Sequence, residues 1–199
     1  MSTRWHKSWE EGRIGFHASD VNGDLVANRE RFLGSDSHRV FVPLCGKTLD
    51  MPWLANQGHQ VIGVELVPQA VDEFFQEQGL APARSAMGPM TRHECDDIEI
   101  LCGDIFDLRR DMIAPITRIW DRAAMVALDR DTRRRYVAKL VELAEPSARI
   151  LLNVFEYDTS VMDGPPFSVG DREVRDAFAG STIDLLSEVD RIDDVPQFK

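Results

Sequence analysis
The stretch Val40 to Leu66, VFVPLCGKTLDMPWLANQGHQVIGVEL, constrains the fold more than any other part of the chain. A short β-rich run, Val40-Phe41-Val42, leads into the turn Pro43-Leu44-Cys45-Gly46. A helical pattern from Thr48 to Gln57 follows and is closed by Gly58. A second β-branched run, Val61-Ile62-Gly63-Val64, then ends at the acidic Glu65. Strand, tight turn, helix and strand with this punctuation form the βαβ unit of a doubly wound α/β sheet, mostly parallel and flanked by helices. An acid roughly twenty residues beyond the first turn stands where such sheets hydrogen-bond a ribose. The alternative is that Glu65 only caps a strand, and this unit alone leaves both readings open.

The turn narrows the choice of ligand. A dinucleotide loop needs three spaced glycines so that the backbone can approach a pyrophosphate at a helix N-terminus. Gly46 is the only glycine in this loop. Gly46-Lys47-Thr48 resembles the end of a phosphate-binding P-loop, but Phe41 stands where that motif requires its first glycine. A ligand with ribose and adenine but no phosphates fits better, and S-adenosylmethionine is the commonest of these. The net charge of −11, from 34 acidic against 23 basic residues, disfavours nucleic acid and anionic membrane as partners and is compatible with a cationic sulfonium.

With 199 residues, 43% of them hydrophobic and 29% charged, the chain suits one soluble α/β domain with a full core. The N-terminus has no apolar signal-type region, and nowhere do enough apolar residues run together to span a bilayer. The three cysteines, Cys45, Cys95 and Cys102, show no paired spacing and fit a reducing cytoplasm. His93 and Cys95, with Cys102 further on, match no zinc pattern, so no metal is expected.

Residues 1–38 carry Trp5, Trp9 and Phe16 among charged residues, which suggests a lid over the domain or a helix packed on the sheet edge. Beyond Glu65, Pro68 opens a helix whose face Val67, Ala70, Val71, Phe74 and Phe75 has core spacing, and Gly79 stops it. Residues 81–97 read as a loop or irregular hairpin. Ile98 to Cys102 is the third strand, with Asp104 and Ile105 beyond its end. There Asp104 could accept from an adenine amino group, or merely cap a turn, and Ile105 could cover a face of the ring. Ile116 to Trp120 is the fourth strand, followed by Asp121-Arg122 on the same edge.

A helix near Asp131 to Leu143 presents Tyr136, Val137, Leu140, Val141 and Ala144 on one face, with Arg133, Arg134 and Arg135 as a solvated run. Pro146 ends it, and Ile150 to Phe155 is the fifth strand. The loop through Gly164-Pro165-Pro166 is stiff enough to wall an acceptor pocket, with Ser168 capping a helix up to Ala179. A last strand is expected over Ile183 to Val189.

Several strings together resemble the thiopurine S-methyltransferase family, particularly its bacterial members: WHKSWEEGRIGFH, the Val40–Leu66 stretch, CGDIFDL, IWDRAAMVAL and EYD…GPPFSV. They run in order from Trp5 to Val169. The resemblance implies a Rossmann-like class I methyltransferase fold and S-adenosylmethionine as cofactor. It assigns cofactor contacts to Trp9, Leu44, Glu65 and Arg122, with Ile105 beside the adenine, and makes the segment around Trp9 a lid. Family members usually continue past the segment resembling VDRIDDVPQFK into a final strand, so the chain's stop at Lys199 leaves the closing hairpin open.

The implied reaction is direct SN2 attack by an acceptor thiol, or a selenium or tellurium analogue, on the cofactor's methyl group. Aromatic thiols ionise near neutrality, so no residue is an obligatory catalyst; Arg122, favouring an anionic acceptor, and Asp121, the nearest base, are the candidates. A halide, thiocyanate or metalloid anion as acceptor, or a cofactor-binding protein without activity, are the competing readings. A monomer is the expected state.

Overall fold
The computed structural model describes residues 2–113 and 115–190. The expectation about the closing hairpin near Lys199 falls outside the described residues. Helices α1 (Ser2–Glu10), α2 (Gly23–Ala27) and α3 (Arg29–Phe32) precede the βαβ unit of β1 (Arg39–Pro43), α4 (Asp50–Asn56) and β2 (Gln60–Glu65). Helix α5 (Pro68–Glu77) leads into β3 (Ala83–Met87), β4 (Met90–Cys95) and β5 (Ile98–Cys102). Then come α6 (Arg110–Ile113), β6 (Ile116–Arg122), α7 (Arg130–Leu143), β7 (Ala144–Asn153) and α8 (Asp171–Ala177).

Among the described residues, seven strands form one sheet in the order β3-β4-β5-β2-β1-β6-β7. Strands β5, β2, β1, β6 and β7 are mutually parallel, and the β3–β4 hairpin adds the antiparallel edge. Strand order reverses between β1 and β6, the crevice where doubly wound sheets hold their ligands.

The central strands β5, β2, β1 and β6 are largely buried on both faces, as a sheet covered on both sides requires, while the edges β3 and β7 are more exposed. On one face Phe41, Ile62, Leu101 and Ile119 pack with Tyr136, Val137 and Leu140 of α7. On the other, Val40, Val61, Ile100 and Trp120 pack with Leu25, Phe32, Leu54, Val71, Phe74 and Phe75. Phe74 and Phe75 are therefore core, their rings edge-to-face at 5.1 Å.

Several expectations change in detail. Residues 81–97 form a regular hairpin, because Gly88 at φ +60 supplies the turn. Pro146 does not end the helix ahead of a strand starting at Ile150; α7 stops at Leu143, and Pro146 lies inside β7, which begins directly after it. The proline falls where the β6–β7 register shifts, the kind of irregularity that tolerates a missing N–H. Val141 is 60% exposed rather than core.

Ser168 does not cap α8. Its hydroxyl accepts from the Tyr157 amide and donates to the Tyr157 carbonyl, both at 2.9 Å, while Gly170 stands at the helix N-cap. The strand expected over 183–189 is absent. Ile183 packs partly on the core and Asp184 pairs with Arg31, but Leu185 and Val189 point to solvent and the backbone joins no ladder.

Arg133, expected in solvent, is buried beside Glu173, its Nε 2.9 Å from the carboxylate. Arg135 lies over the Phe106 ring at 4.3 Å. Arg134 and Arg135 are both exposed and keep the solvated character of the run.

Candidate active site
The turn after β1 is shaped by backbone strain that its surroundings offset. Leu44 (φ +49) and Gly46 (φ +53) both lie in the left-handed region, costly for leucine and natural for glycine. This conformation turns the Gly46 amide toward β2, where it donates to Glu65 Oε2 at 2.8 Å. The Val67 amide donates to Oε1 at 2.8 Å. Glu65 is 7% exposed, and burial raises its pKa while the amides of Val67, Gly46 and Leu66 work against the rise. Each carboxylate oxygen has two lone pairs, so acceptor capacity remains beyond these amides for a donor such as a ribose hydroxyl.

Gly63 makes the close packing of this turn possible. A Cβ there would stand 2.7 Å from Cys45 Sγ and 2.9 Å from Met51 Cε. Cys45 is buried, and burial, then the charge of Glu65, pushes its thiol well above the ordinary range. Burial likewise lifts Cys102 to about 11. Neither is a thiolate at neutral pH, so neither is an activated nucleophile.

The N-terminal segment packs over this turn. Trp9 is 3% exposed, lies against Val67 and Ala70, and reaches to 3.5 Å of where a Gly46 side chain would begin. Phe16 packs edge-on to Trp5 and Trp9, with centroids 5.6 and 5.9 Å apart. Two polar tethers hold the segment: Arg122 Nη1 donates to the Phe16 carbonyl at 3.1 Å and Gln69 Nε2 to the Trp9 carbonyl at 3.4 Å.

Lys47 does not point at a phosphate site. Its ammonium bonds Glu73 and Glu77 of α5 at 2.8 and 2.7 Å. Burial works against its charge, but these carboxylates outweigh that and raise its pKa.

Trp9, Leu44, Glu65, Ile105 and Arg122 all line one open cavity of about 3490 Å³ that extends from the carboxyl ends of the strands along the edge strand β7 to residues 146–149. Asp104 lines it too, and its Oδ1 accepts from the Phe106 amide at 3.0 Å, capping the 3₁₀ turn Ile105–Asp107. The loop after β7 forms the opposite wall. It is fixed by Phe167 N donating to the Val126 carbonyl (2.6 Å) and Val169 N to the Phe155 carbonyl (2.8 Å).

Asp121 is the candidate that the structure removes from the cavity. It is fully buried behind the wall, and its oxygens are taken by Tyr136 Oη at 2.6 Å and by the amides of Ala124 and Met125 at 2.8 and 3.3 Å. Neither a base in reach of a substrate nor an ion-pair partner of Arg122, it is an internal anchor. Residue order could not reveal this, because only the fold brings Tyr136 of α7 onto the Asp121 carboxylate. Phe16, grouped in the sequence with Trp5 and Trp9 as part of a lid, also lines the cavity. Tyr136 was seen only as an apolar core residue. Among the described residues no group of three metal-ligating side chains comes together, and no helix is long and apolar enough to cross a membrane.

A family model described as thiopurine S-methyltransferase matches residues 1–199. A thiopurine S-methyltransferase of Pseudomonas entomophila is 43% identical over 194 residues, covering 98% of this chain and 90% of that protein. Among solved structures, a TehB-like S-adenosylmethionine-dependent methyltransferase of Corynebacterium glutamicum superposes with TM-score 0.56 at 17% identity, over 88% of this chain and 80% of that one. A Burkholderia thailandensis 1,6-didemethyltoxoflavin-N1-methyltransferase, solved with S-adenosylhomocysteine, gives 0.57 at 20% identity, over 79% and 62%. These two likenesses carry the fold, and the family match carries the rest. The chain belongs to the thiopurine S-methyltransferase family of S-adenosylmethionine-dependent methyltransferases.

Proposed function
We propose that this enzyme methylates the sulfur of a small thiol, aromatic thiols above all, and selenium or tellurium compounds of similar shape. The observation that carries the reading is the buried Glu65 cradle, which opens with spare acceptor capacity into the same cavity as Arg122 and the aromatic N-terminal segment. In this reading Glu65 holds the ribose hydroxyls, Leu44 and Trp9 close on the cofactor, and Ile105 covers the adenine. S-adenosylmethionine supplies a methyl group on a sulfonium leaving group, so one in-line displacement completes the transfer.

The protein's own contribution is positioning and exclusion of water. The segment around Trp5, Trp9 and Phe16 acts as a lid, tied down at Arg122 and Gln69. The guanidinium of Arg122, at the cavity wall, favours an acceptor that arrives as a thiolate. No side chain is needed as base for acidic thiols, and the burial of Asp121 fits that economy.

The test is product analysis by mass spectrometry after incubation with S-adenosylmethionine and separate acceptors: an aromatic thiol, an aliphatic thiol, a selenol, iodide and thiocyanate. The aromatic thioether is expected to dominate. Methyl iodide or methyl thiocyanate formed in preference to any thioether would overturn the acceptor class.

A further inference from the structure
The end of β6 turns sharply. Arg122 closes the strand opposite Asn153, and Ala123 follows at φ +60, a left-handed conformation that costs an alanine free energy and persists only where the surroundings impose it. The imposing group is Asp121. Its Oδ1 receives the amides of Ala124 and Met125, the two residues directly after the strained one. Its Oδ2 receives the Tyr136 hydroxyl from the buried face of α7, which anchors the turn to that helix.

Two walls of the cavity hang from that turn. Arg122 reaches the Phe16 carbonyl and so holds the lid. Val126 receives the Phe167 amide and so holds the Gly164-Pro165-Pro166 loop. Ala123, Ala124, Val126 and Ala127 themselves face the cavity.

We propose that Asp121 is a positioning residue: through Tyr136 it fixes the turn after β6, and the turn in turn sets Arg122, the lid and the acceptor-side loop against one another. The proposal rests on the methyltransferase reading above only for its kinetic part. A carboxylate in this place is costly: burial pushes its pKa up to about 6, and the hydroxyl and amide bonds offset only part of that. Burial, then the neighbouring Asp121 charge, keeps the Tyr136 hydroxyl protonated and therefore a donor.

The experiment uses the full chain with Asp121→Ala, Asp121→Asn and Tyr136→Phe. Five quantities are read: the rate of native-state tryptic cleavage after Arg13 in the lid, the acceptor KM, the kcat, calorimetric affinity for S-adenosylhomocysteine, and the melting temperature. For Asp121→Ala, cleavage should accelerate about tenfold and the acceptor KM should rise about tenfold, while kcat falls less than about threefold. Asp121→Asn keeps an acceptor for both amides and should stay within about threefold of the parent on each kinetic and affinity readout. Should Asp121→Ala fail to fold, Tyr136→Phe, which removes only the tether to α7, must show the same changes in smaller measure.

Lower thermal stability with unchanged KM and unchanged cleavage would mean a merely structural role and overturn the proposal. So would an asparagine variant as impaired as the alanine one, since charge rather than placement would then matter. If the parent turns over no acceptor, the methyltransferase reading fails by itself, and the cleavage rates still decide the role of Asp121.

Discussion

Between β1 and β2 the cavity is shaped by main chain: two left-handed residues, two amides on one buried carboxylate, and a glycine that lets Cys45 and Met51 close in. Beyond β6 and β7 the other wall is shaped by contacts between distant segments: Arg122 to Phe16, Phe167 to Val126, Asp121 to Tyr136 and Arg31 to Asp184. The first region is buried almost throughout, whereas the second ends in a run where Leu185 and Val189 face solvent. On the proposed reading the first wall holds the cofactor through local geometry, and the second faces the acceptor through long-range ties, whose exposed end has less to hold it.

The largest effect that would test this contrast falls on Glu65. Glu65→Ala leaves the buried amides of Gly46 and Val67 without partners and should cost about 2–4 kcal/mol in urea unfolding. A cost below about 0.5 kcal/mol would show that the turn after β1 does not depend on that carboxylate.

Next comes Gly63→Ala, whose methyl would meet Cys45 Sγ at 2.7 Å and Met51 Cε at 2.9 Å. It should lose about 1–3 kcal/mol by overpacking. The matched change on the other side, Leu185→Ser, alters a side chain 63% exposed and should stay within about 0.5 kcal/mol. Equal losses for the pair would erase the contrast.

A smaller effect concerns pH at the far end of the sheet. His59 Nδ1 accepts from the His38 amide at 3.1 Å, and the two rings stack at 5.8 Å. Burial, then His38, Arg118 and Arg29, lowers the pKa of His59 below its ordinary 6.5. The unfolded chain then binds the proton more readily than the folded one, so this site's stability is present above pH 6.5 and declines as pH falls below it. The melting temperature should drop between pH 7.5 and 5.5, and His59→Gln should flatten that drop; an identical slope in the variant would contradict it.

The smallest effect belongs to Cys45→Ser. The thiol is held protonated by burial and the Glu65 charge, and under the proposed direct transfer it carries no methyl group, so turnover should remain within about threefold. A methylated Cys45 trapped in the parent protein would refute direct transfer.

The same contrast governs how much could be seen in the amino-acid order. The βαβ unit, the acid at Glu65 and the lone glycine of the turn lie within one short stretch, where periodicity and turn chemistry report directly. The helix face of Val67, Ala70, Val71, Phe74 and Phe75 was legible for the same reason, and all five are buried. The burial of Arg133 was not, because its partner Glu173 lies on another helix 40 residues on. Asp121 read as a strand-end acid beside an arginine; only the fold shows it turned inward to Tyr136. Ile183 to Val189 has strand-like composition, yet a strand exists only where a neighbour completes its ladder, which composition does not encode.

The most direct test of the central claim, that the Glu65 cradle is the cofactor site, is calorimetric titration of S-adenosylhomocysteine into the parent chain and into Glu65→Gln. The glutamine keeps the shape but replaces one acceptor oxygen with a donor. The account predicts micromolar binding to the parent and a loss of roughly tenfold or more in the variant, the size of one charged hydrogen bond. Equal affinities in the two proteins would contradict it.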